Sequence, residues 1–334
     1  MKTRRTTLRL LYEDTDISQD IAVDLKAFEY TDNETGKADD ISLTLKDENG
    51  IWAGPWYPSK GATVAATIID EFPDREEALY CGKFKIDDLS SSGPPSTFTM
   101  KGVSIPLDQT IRREKKSSAW EDAKLSRICR QIAESASMTS FFDVSRDPQY
   151  DRIDQRDESD LGFLKRICES EGYSLKVSDS QIIVFEQQKY EQRPTIGSIV
   201  KGTDDVKGYS FDSQAYDLYS ECTCSYYDSE TETLLEKTFR DPNITDGMKA
   251  RLVKRAQSLG EAERLAKNEL RKRNKHEVTG TLTLKGSTRF VAGVTVDISG
   301  FGKYDGKYII EGATHAISNG YTVKADVRRV LEGY

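Results

Sequence analysis

The sequence predicts an α+β fold that is mostly β, in which two similar β-domains flank a small middle domain that contains helices. Three observations support this prediction: apolar and polar residues alternate near both ends of the chain, apolar residues recur at helical spacing in the middle, and short segments of the first part recur in the last part. With 334 residues, the chain is longer than one typical domain, and its length favours two or three domains that each bury their own core.

Residues 1–110 have the pattern of β-strands. In the segment Ile41–Leu45, three aliphatic residues alternate with Ser42 and Thr44, which is typical of a strand with one buried face. Turn-forming residues divide the region into segments of strand length: Asn49-Gly50, Gly54-Pro55, Lys60-Gly61 and Ser92-Gly93-Pro94-Pro95.

A first helix is predicted to begin at a capping box, Ser118-x-x-Glu121, whose side chains can bond the free backbone N–H groups of the first turn. Apolar residues recur at helical spacing and form a broad face: Trp120, Ala123, Leu125, Ile128, Cys129, Ile132, Ala133 and Ala136.

A second helix is predicted to follow. Its apolar residues also recur at helical spacing: Leu161, Leu164, Ile167 and Cys168. Asp157 or Ser159 can cap its start, and Gly172 can adopt the left-handed conformation that often follows a helix. Two short strands are expected next, at 173–177 and 182–185.

The β pattern returns from about residue 205 and is interrupted by one long helix. Cys222, Cys224 and Tyr226 share one face of a predicted strand. The helix is predicted to begin at a second capping box, Ser258-x-x-Glu261. Four apolar residues form a narrow seam on an otherwise charged helix: Ala262, Leu265, Ala266 and Leu270.

An internal repeat links the two β-regions. Four short segments recur in the same order: Ser42–Lys46 as Thr281–Lys285, Gly61–Val64 as Gly293–Val296, Gly82–Asp87 as Gly306–Glu311, and Phe98–Lys101 as Tyr321–Lys324. Each match alone is a common strand pattern, but four matches in one order indicate a duplicated β-domain. A trimer of such chains would place six similar domains around one axis, which suits docking onto a sixfold partner.

Composition and charge argue against several classes of protein. The formal net charge of −8 disfavours a dedicated nucleic-acid binder, whose affinity depends on cations that neutralise phosphates. No apolar run approaches the roughly 18 residues that cross a membrane, and no leader-like segment opens the chain, so we expect neither membrane insertion nor export. Five scattered cysteines are interpreted as core residues in a reducing compartment: Cys81, Cys129, Cys168, Cys222 and Cys224.

Four carboxylates crowd the stretch around the second helix: Glu158, Asp160, Glu169 and Glu171. Such a cluster can hold a metal or act as an acid/base pair. In the predicted helix, however, Glu158 and Asp160 lie in the first turn, where acids stabilise the positive end of the helix dipole, and the other two lie near the far end. We therefore expect structural roles for all four.

Motifs for other chemistry are incomplete in the sequence. Cys222-x-Cys224 places two thiols on one strand face, but no histidine or second cysteine pair completes a tetrahedral zinc set. The two histidines are His276 and His315, and His315 is interpreted as a packed or hydrogen-bonded strand residue. We predict no catalytic residue, no metal and no cofactor.

Two groups of residues are candidate protein contacts. Trp52 and Trp56 lie in a long loop and can either form a contact surface or pack in the core, of which core packing is favoured. Between Lys249 and Lys275, ten basic residues face three acids, and this basic helix can bind an acidic surface of a neighbouring subunit or simply be solvated. Its candidate contacts are Lys254, Arg255, Arg271, Lys272 and Arg273.

A co-linear set of short motifs runs along nearly the whole chain: Ala38-Asp-Asp-Ile-Ser-Leu-Thr-Leu45, Trp56-x-Pro-x-Lys-Gly61, Cys81-Gly-x-Phe-x-Ile-Asp-Asp88, Ser92-Gly-Pro-Pro95, Lys101-Gly-x-Ser104, Ala119-Trp-Glu-x-x-x-Leu125, Glu158-Ser-Asp-Leu-x-Phe-Leu164, Glu171-Gly-Tyr173, Glu261-Ala-Glu-x-x-Ala266, and Gly300-Phe-Gly-x-x-Asp-Gly-Lys-Tyr-x-Ile310 with His315. Each motif is modest on its own. As a set they resemble the phage late control protein D family, specifically the XkdQ-like baseplate hub proteins of contractile tails.

The resemblance implies a structural hub of three chains, each with two β-barrel tube domains, residues 1–110 and 196–334, around a helix-containing middle domain, residues 111–195. The long helix would be an insertion in the second tube domain. The implied partners are the homotrimer itself, the tail tube protein, the central spike protein and other baseplate proteins, with DNA only as a passing genome. The implied location is the virion tail baseplate, assembled in the cytoplasm of the bacterial host.

Two other functions stay open at this point. A cell-wall hydrolase of the tail tip would use a pair of carboxylates, and a single-strand nucleic-acid binder would need a basic groove with stacked aromatic residues. The spike components of type VI secretion also resemble the middle segment, but the absence of a β-helical needle repeat argues against a spike.

Overall fold

A computed structural model describes residues 4–104, 110–178, 181–203, 205–214, 216, 218–228, 232–256 and 258–334. Residues 105–109, which adjoin the predicted domain boundary at residue 110, lie outside the described part. The fold is mostly β, as predicted. The elements of the first region are β1 (Arg5–Tyr12), β2 (Thr15–Asp16), α1 (Ser18–Ala22), β3 (Leu25–Asn33), β4 (Asp40–Lys46), β5 (Thr63–Glu71), β6 (Glu76–Ser92) and β7 (Thr97–Val103).

The remaining elements fall in a middle and a last region. Those of the middle region are α2 (Thr110–Arg113), β8 (Lys116–Lys124), α3 (Leu125–Ser135), β9 (Thr139–Asp143), β10 (Gln149–Glu158), α4 (Asp160–Glu171), β11 (Ser174–Ser178), β12 (Gln181–Phe185) and α5 (Gln187–Glu191). Those of the last region are β13 (Ser198–Val200), β14 (Val206–Ser213), β15 (Tyr219–Asp228), β16 (Thr233–Arg240), β17 (Met248–Val253), α6 (Leu259–Asn274), β18 (Val278–Lys285), β19 (Thr295–Ser299), a 3-10 turn (Gly302–Tyr304), β20 (Gly306–Ser318) and β21 (Gly320–Arg329).

Strands of the first and last regions form two sheets with the same strand order. The order is β3-β4-β7-β6-β5-β1 in the first sheet and β14-β18-β21-β20-β19-β13 in the second. Because β20 also pairs with β3, the two sheets are continuous and, with β2, form one 13-stranded sheet. They differ at one end, where β1 is antiparallel to β5 and β13 is parallel to β19.

The pairing register repeats between the two sheets. Val64 lies opposite Phe84 in the first sheet. Val296 lies opposite Tyr308 in the second. The second and third segments of the predicted repeat therefore occupy equivalent positions in the two sheets.

The fourth segment of the predicted repeat is displaced. In the first sheet Met100 lies opposite Leu43, whereas in the second sheet Ala325 lies opposite Leu282. Met100 is therefore equivalent to Ala325, two residues beyond the predicted Val323. Because side chains alternate along a strand with a period of two, both alignments leave the same set of side chains on the buried face. The sequence pattern alone does not separate them.

The main hydrophobic core includes side chains from both sheets. Alternate residues of β4 are buried, namely Ile41, Leu43 and Leu45, as predicted. Phe28 of the first sheet and Tyr308 of the second are fully buried in the same core. Shared burial of apolar surface packs the two sheets into one unit.

The start of the first predicted helix is a strand. The segment Ser118–Glu121 lies within β8, where Trp120 is opposite Ile153 of β10. The predicted capping box is therefore wrong. The Ser118 hydroxyl donates a hydrogen bond to Gln155 across this hairpin, at 3.1 Å.

The helix itself, α3, begins at Leu125 and is capped from a distance. Asp147 accepts hydrogen bonds from the Ser126 N–H at 3.0 Å and from the Ser126 hydroxyl at 2.6 Å. The buried face of α3 follows the predicted spacing: Leu125, Ile128, Cys129, Ile132 and Ala133.

The second helix, α4, is confirmed. The Ser159 hydroxyl accepts a hydrogen bond from the Gly162 N–H at 3.2 Å, and Gly172 ends the helix with a φ of +82°. Of the predicted apolar residues, Leu161 is only half-buried, and the fully buried Phe163 takes its place in the core. The two short strands that follow, β11 and β12, are also as predicted.

A small subdomain is inserted between β14 and β18 of the second sheet. β15, β16 and β17 form a three-stranded sheet, and α6 packs on it. Its core residues are Cys222, Cys224, Ala250, Ala256, Ala262, Leu265, Ala266, Leu270 and Tyr334. The predicted cap of α6 is confirmed, since the Ser258 hydroxyl accepts from the Glu261 N–H at 3.2 Å. Within the described residues, no helix is both long and apolar enough to cross a membrane.

Candidate assembly interfaces

The two sheets meet at a joint formed by β3 and β20, which we call the internal joint. These strands pair antiparallel over six residues, from Phe28 opposite Ile317 to Asn33 opposite Gly312. The internal joint fixes two equivalent sheets side by side within one chain.

His315 lies at the centre of the internal joint. It is fully buried, stacks on Tyr30 with ring centroids 5.9 Å apart, and bonds the Tyr321 hydroxyl through Nδ1 at 2.7 Å. Burial lowers the pKa of His315 to about 4, so the ring is neutral near pH 7. The prediction of a packed, hydrogen-bonded strand residue is confirmed.

Polar contacts attach the middle region to this joint. Asp32 of β3 accepts a hydrogen bond from the Ala292 N–H at 2.8 Å and pairs with Lys176 of β11 at 2.6 Å. Lys176 also pairs with Asp39, at 3.2 Å. Burial alone would lower the pKa of Lys176, but the charges of Asp32 and Asp39 outweigh it and raise the pKa, which keeps the ammonium charged.

A buried ion network connects the second sheet to two helices. Arg328 of β21 is fully buried and bonds both Glu191, at the end of α5, and Glu311 of β20. Arg271 of α6 bonds the same Glu191 carboxylate at 2.5 Å. One buried carboxylate thus ties together β21, α5 and α6, and loss of a partner would leave buried charge poorly compensated.

Two carboxylates near this network have opposite pKa shifts. Burial alone would raise the pKa of Glu311, but its hydrogen bond with His276 and the charge of Arg328 lower it to about 2. For Glu34, which accepts a hydrogen bond from Gln187 at 3.0 Å, burial dominates and raises the pKa to about 7. Glu34 is therefore the carboxylate of this pair that titrates near neutral pH.

A cleft of about 800 Å³ lies between α4, α6 and the loop that joins β3 to β4. Its basic lining residues are Lys37, Arg112, Lys165, Arg271, Lys272, Lys275 and His276. Glu169 also lines the cleft and bonds Lys272 at 3.2 Å. The surplus of basic groups suits contact with an acidic surface.

Comparison with known proteins identifies the family. The family model described as phage tail baseplate hub (GPD) matches residues 106–321, which is more than half of the chain. The chain belongs to the phage tail baseplate hub family. The predicted family is thereby confirmed, and the hub chain is assigned to the tail baseplate.

Individual relatives agree with the family. The probable baseplate hub protein of Escherichia phage P2 is 28% identical over 182 residues, which cover 53% of the hub chain and 44% of the relative. The match thus spans less than half of that relative's length.

Two solved structures share the fold of the hub chain. The 43 kDa tail protein of prophage MuSo2 from Shewanella oneidensis aligns with a TM-score of 0.74 at 13% identity, over 97% of the hub chain and 98% of that chain. A type VI secretion system component of E. coli aligns with a TM-score of 0.57 at 12% identity, over 99% of the hub chain and 78% of that chain. The likeness predicted for the middle segment alone therefore extends over nearly the whole hub chain.

Several predicted basic contacts bond within the hub chain. Arg271 and Lys272 take part in the ion pairs described above. Arg273 bonds Glu269, one helical turn away, at 2.7 Å and stacks on Tyr219 with its guanidinium 4.6 Å from the ring centroid. These cations hold α6 in place within the chain.

The basic stretch between Lys249 and Lys275 is helical only in its second part. Met248–Val253 form β17, and α6 starts only at Leu259, because the three strands of the inserted sheet need β17 as a partner of β15. Lys254 and Arg255 lie between the two elements. Lys254 is half-buried and donates to the Ser170 carbonyl at 3.2 Å, whereas Arg255 is exposed.

The two tryptophans of the long loop have different surroundings. Trp52 is 6% exposed and donates a hydrogen bond from Nε1 to Asp24 at 2.9 Å. Trp56 is 51% exposed and packs edge-on against Trp52, with ring centroids 5.7 Å apart. Core packing, the favoured interpretation, therefore applies to Trp52. Trp56 is accessible to a partner.

The four clustered carboxylates do not converge on one site. Each bonds its own cation: Glu158 with Arg166, Asp160 with Lys116, Glu169 with Lys272, and Glu171 with Arg264. Glu158 is the last residue of β10 rather than part of the first helical turn, as a correction to the prediction. The contacts of all four hold neighbouring elements together.

The cysteines are buried free thiols, as predicted for core residues. Burial raises the pKa of Cys222 to about 11, which keeps this thiol protonated. In the described ranges, no group of three or more histidine, cysteine or acidic side chains is arranged to hold a metal ion.

Proposed function

We propose that the chain is the structural hub of a contractile phage tail or phage-like particle, in which three copies form a pseudo-sixfold ring between the tail tube and the central spike. The observation that carries this proposal is the repetition of strand order and register in two sheets of one chain. Three such chains present six equivalent sheets around one axis, and closed rotational symmetry lets them contact a sixfold partner.

In this arrangement residues 1–110 and 196–334 are the tube domains, and residues 111–195 are the middle domain. The separate core of the middle region, built around α3 and α4, supports this division. The two sheets curve into the wall of the ring, and the middle domain lies at its periphery or toward the spike.

The proposed partners are the tail tube protein, the spike protein and other baseplate proteins. The net charge of −8 favours a lumen that repels DNA and lets a genome pass without sticking. Of the predicted contact residues, four are exposed: Trp56, Arg255, Lys272 and Arg273. Lys272 and Arg273 already bond Glu169 and Glu269, so Trp56 and Arg255 are our candidates for these partners. An Arg255→Glu variant that assembles normally would remove Arg255 from the contacts.

We further propose that the chain is not an enzyme. Each of the four clustered acids is neutralised by its own cation, whereas a hydrolase needs two carboxylates that share a site. Zymography of the purified chain on peptidoglycan should show no clearing. A clear lysis zone would favour the alternative, a cell-wall hydrolase of the tail tip.

The ring is tested by mass and by image. Mass photometry should give a species of three times the 37.6 kDa chain, and electron micrographs viewed along the axis should show six similar lobes. A dimer, a ring with another number of lobes, or a chain that stays monomeric at every concentration would contradict the proposal.

A further inference from the structure

Within the described residues, the uncovered strand edges of the doubled sheet include those of β14 and of the second half of β6. β14 ends the second sheet and pairs only with β18. β6 pairs with β5 as far as Lys85, and beyond its bulge the segment Asp88–Ser92 pairs only with β7. Such edges carry unpaired backbone N–H and C=O groups and are ready to receive another strand.

The internal joint shows what covers the equivalent edge in the second sheet. There β20 pairs with β19 as far as Ile309, and beyond its own bulge the segment Gly312–Ile317 pairs with β3. By strand order, β20 is the counterpart of β6, and β3 is the counterpart of β14. The first sheet therefore has the acceptor edge, and the second sheet the donor strand, for another joint of the same kind.

Shared irregularities fix the correspondence residue by residue. The acceptor strands each have a shift in pairing register, between Ile86 and Asp88 in β6 and between Ile310 and Gly312 in β20. The donor strands have one too, between Leu25 and Ala27 in β3 and between Val206 and Gly208 in β14. With these points aligned, Thr314 of β20 corresponds to Ser90 of β6, and Thr31 of β3 corresponds to Asp212 of β14.

We propose that β14 of one copy adds to the β6 edge of the next copy, antiparallel, with Asp212 opposite Ser90 and Ser210 opposite Ser92. This external joint rests on the proposed trimeric ring and supplies its subunit contact. Internal and external joints alternate around the ring. Because the two kinds of joint share one strand pairing, each advances the ring by the same step, and a closed ring of three chains contains six such joints.

Side-chain exposure supports an occupant on both edges. Phe28 of β3 is fully buried, whereas its counterpart Tyr209 on β14 is 49% exposed. Ala313 of β20 is fully buried, whereas its counterpart Leu89 on β6 is half-buried. A neighbouring copy in the register of the internal joint would remove apolar surface of both residues from water.

The external acceptor edge is more polar than the internal one. Ser90–Ser92 take the place of Thr314–Ala316, so the external joint depends mainly on main-chain hydrogen bonds. A polar edge also limits pairing with unrelated strands. This composition suits a contact that forms only when subunits assemble.

The internal joint also indicates where a disulfide fits. The Glu34 N–H donates a hydrogen bond to the Glu311 carbonyl at 2.8 Å, so Glu34 and Glu311 form a hydrogen-bonded pair. Hydrogen-bonded and non-hydrogen-bonded pairs alternate along antiparallel strands, so Thr31 and Thr314, three residues away on each strand, form a non-hydrogen-bonded pair. Residues in such pairs approach closely enough for a disulfide.

The variant Ser90→Cys/Asp212→Cys places cysteines at the counterparts of that pair, and both positions are exposed. The native cysteines are buried, which keeps background cross-linking low. After mild oxidation, non-reducing electrophoresis should show covalent dimers and trimers that reductant removes. Ser92→Cys/Ser210→Cys is a second in-register pair and should give the same products.

Two matched controls accompany these variants. Thr31→Cys/Thr314→Cys should form its disulfide within one chain and run as a monomer. Ser90→Cys/Ser210→Cys is two residues out of register, and the longer diagonal distance should reduce cross-linking about tenfold.

The possible results distinguish a failure of the external joint from a failure of the proposed trimeric ring. A trimer by mass photometry in which neither in-register pair cross-links would overturn the external joint and leave the ring standing. A chain that stays monomeric and does not cross-link would overturn both. Equal cross-linking in and out of register would overturn the proposed register.

Discussion

The two sheets share one strand order and one register but are attached to their surroundings in different ways. Phe84 and Tyr308 occupy equivalent positions, and both are buried. Outside the shared core, Val103 of the first sheet corresponds to Arg328 of the second, which belongs to the buried ion network. The comparison teaches that the repeated core residues define the shared sheet structure. A few positions outside that core attach each of the two sheets to different neighbouring elements.

Replacement of Arg328 should have the largest effect on this comparison. Arg328→Ala removes a buried cation that Glu191 and Glu311 share, and the free energy of unfolding should fall by roughly 3–5 kcal/mol. Urea denaturation measures the change. The matched change Val103→Ala should cost about 1 kcal/mol. Equal losses in the two variants would show that the ion network does not anchor the second sheet.

The first sheet has its own anchor in the loop between β4 and β5. Trp52→Ala removes a buried ring and its hydrogen bond to Asp24, and should cost roughly 3–4 kcal/mol. Trp56→Ala, at a half-exposed position, should cost about 1 kcal/mol or less. Thermal unfolding compares the two. A larger loss of stability for Trp56→Ala than for Trp52→Ala would show that Trp56, and not Trp52, anchors the loop.

Glu34 tests whether the attachment near the internal joint depends on pH. Its pKa is raised from 4.5 to about 7 by burial, so the stability that comes from its protonated form is full below pH 4.5 and is lost as the pH rises through about 7. Glu34→Gln stays neutral and should exceed the parent by roughly 1–3 kcal/mol at about pH 8.5, with a smaller difference at about pH 5.5.

The measurement is urea denaturation at both pH values. Glu48→Gln, at an exposed position, controls for the loss of one negative charge. A Glu34→Gln difference that is the same at both pH values would contradict the raised pKa.

Much of the fold was predictable because its signals are local. Alternation in β4, the cap and the terminal glycine of α4, and the capping box of α6 each depend on residues within a few positions of one another. The repeat was also predictable, because each of its segments is a short local pattern and the order of the segments could be read from the sequence. The alignment of its last segment was ambiguous by two residues, the period of side-chain alternation along a strand.

The features that escaped prediction depend on distant partners. Along β21, alternation assigns Val327 to the core and Arg328 to the opposite face, where a charged residue is expected to be solvated. Arg328 is buried because Glu191 of α5 and the nearby Arg271 of α6 cover that face. The open edges of β6 and β14 likewise became visible only once the strand pairing was known.

The smallest expected change in stability concerns the capping box predicted at Ser118, which the structure contradicts. Ser159 and Ser118 both look like helix caps in the sequence, but only the Ser159 hydroxyl bonds the first turn of a helix, through the Gly162 N–H. Ser159→Ala should therefore cost about 1 kcal/mol. Ser118→Ala should cost about 0.5 kcal/mol or less, because water can replace its single bond to Gln155 on an exposed strand. Urea denaturation of both variants under one set of conditions resolves the difference. Equal costs would contradict the assignment of a stabilising cap to Ser159 alone.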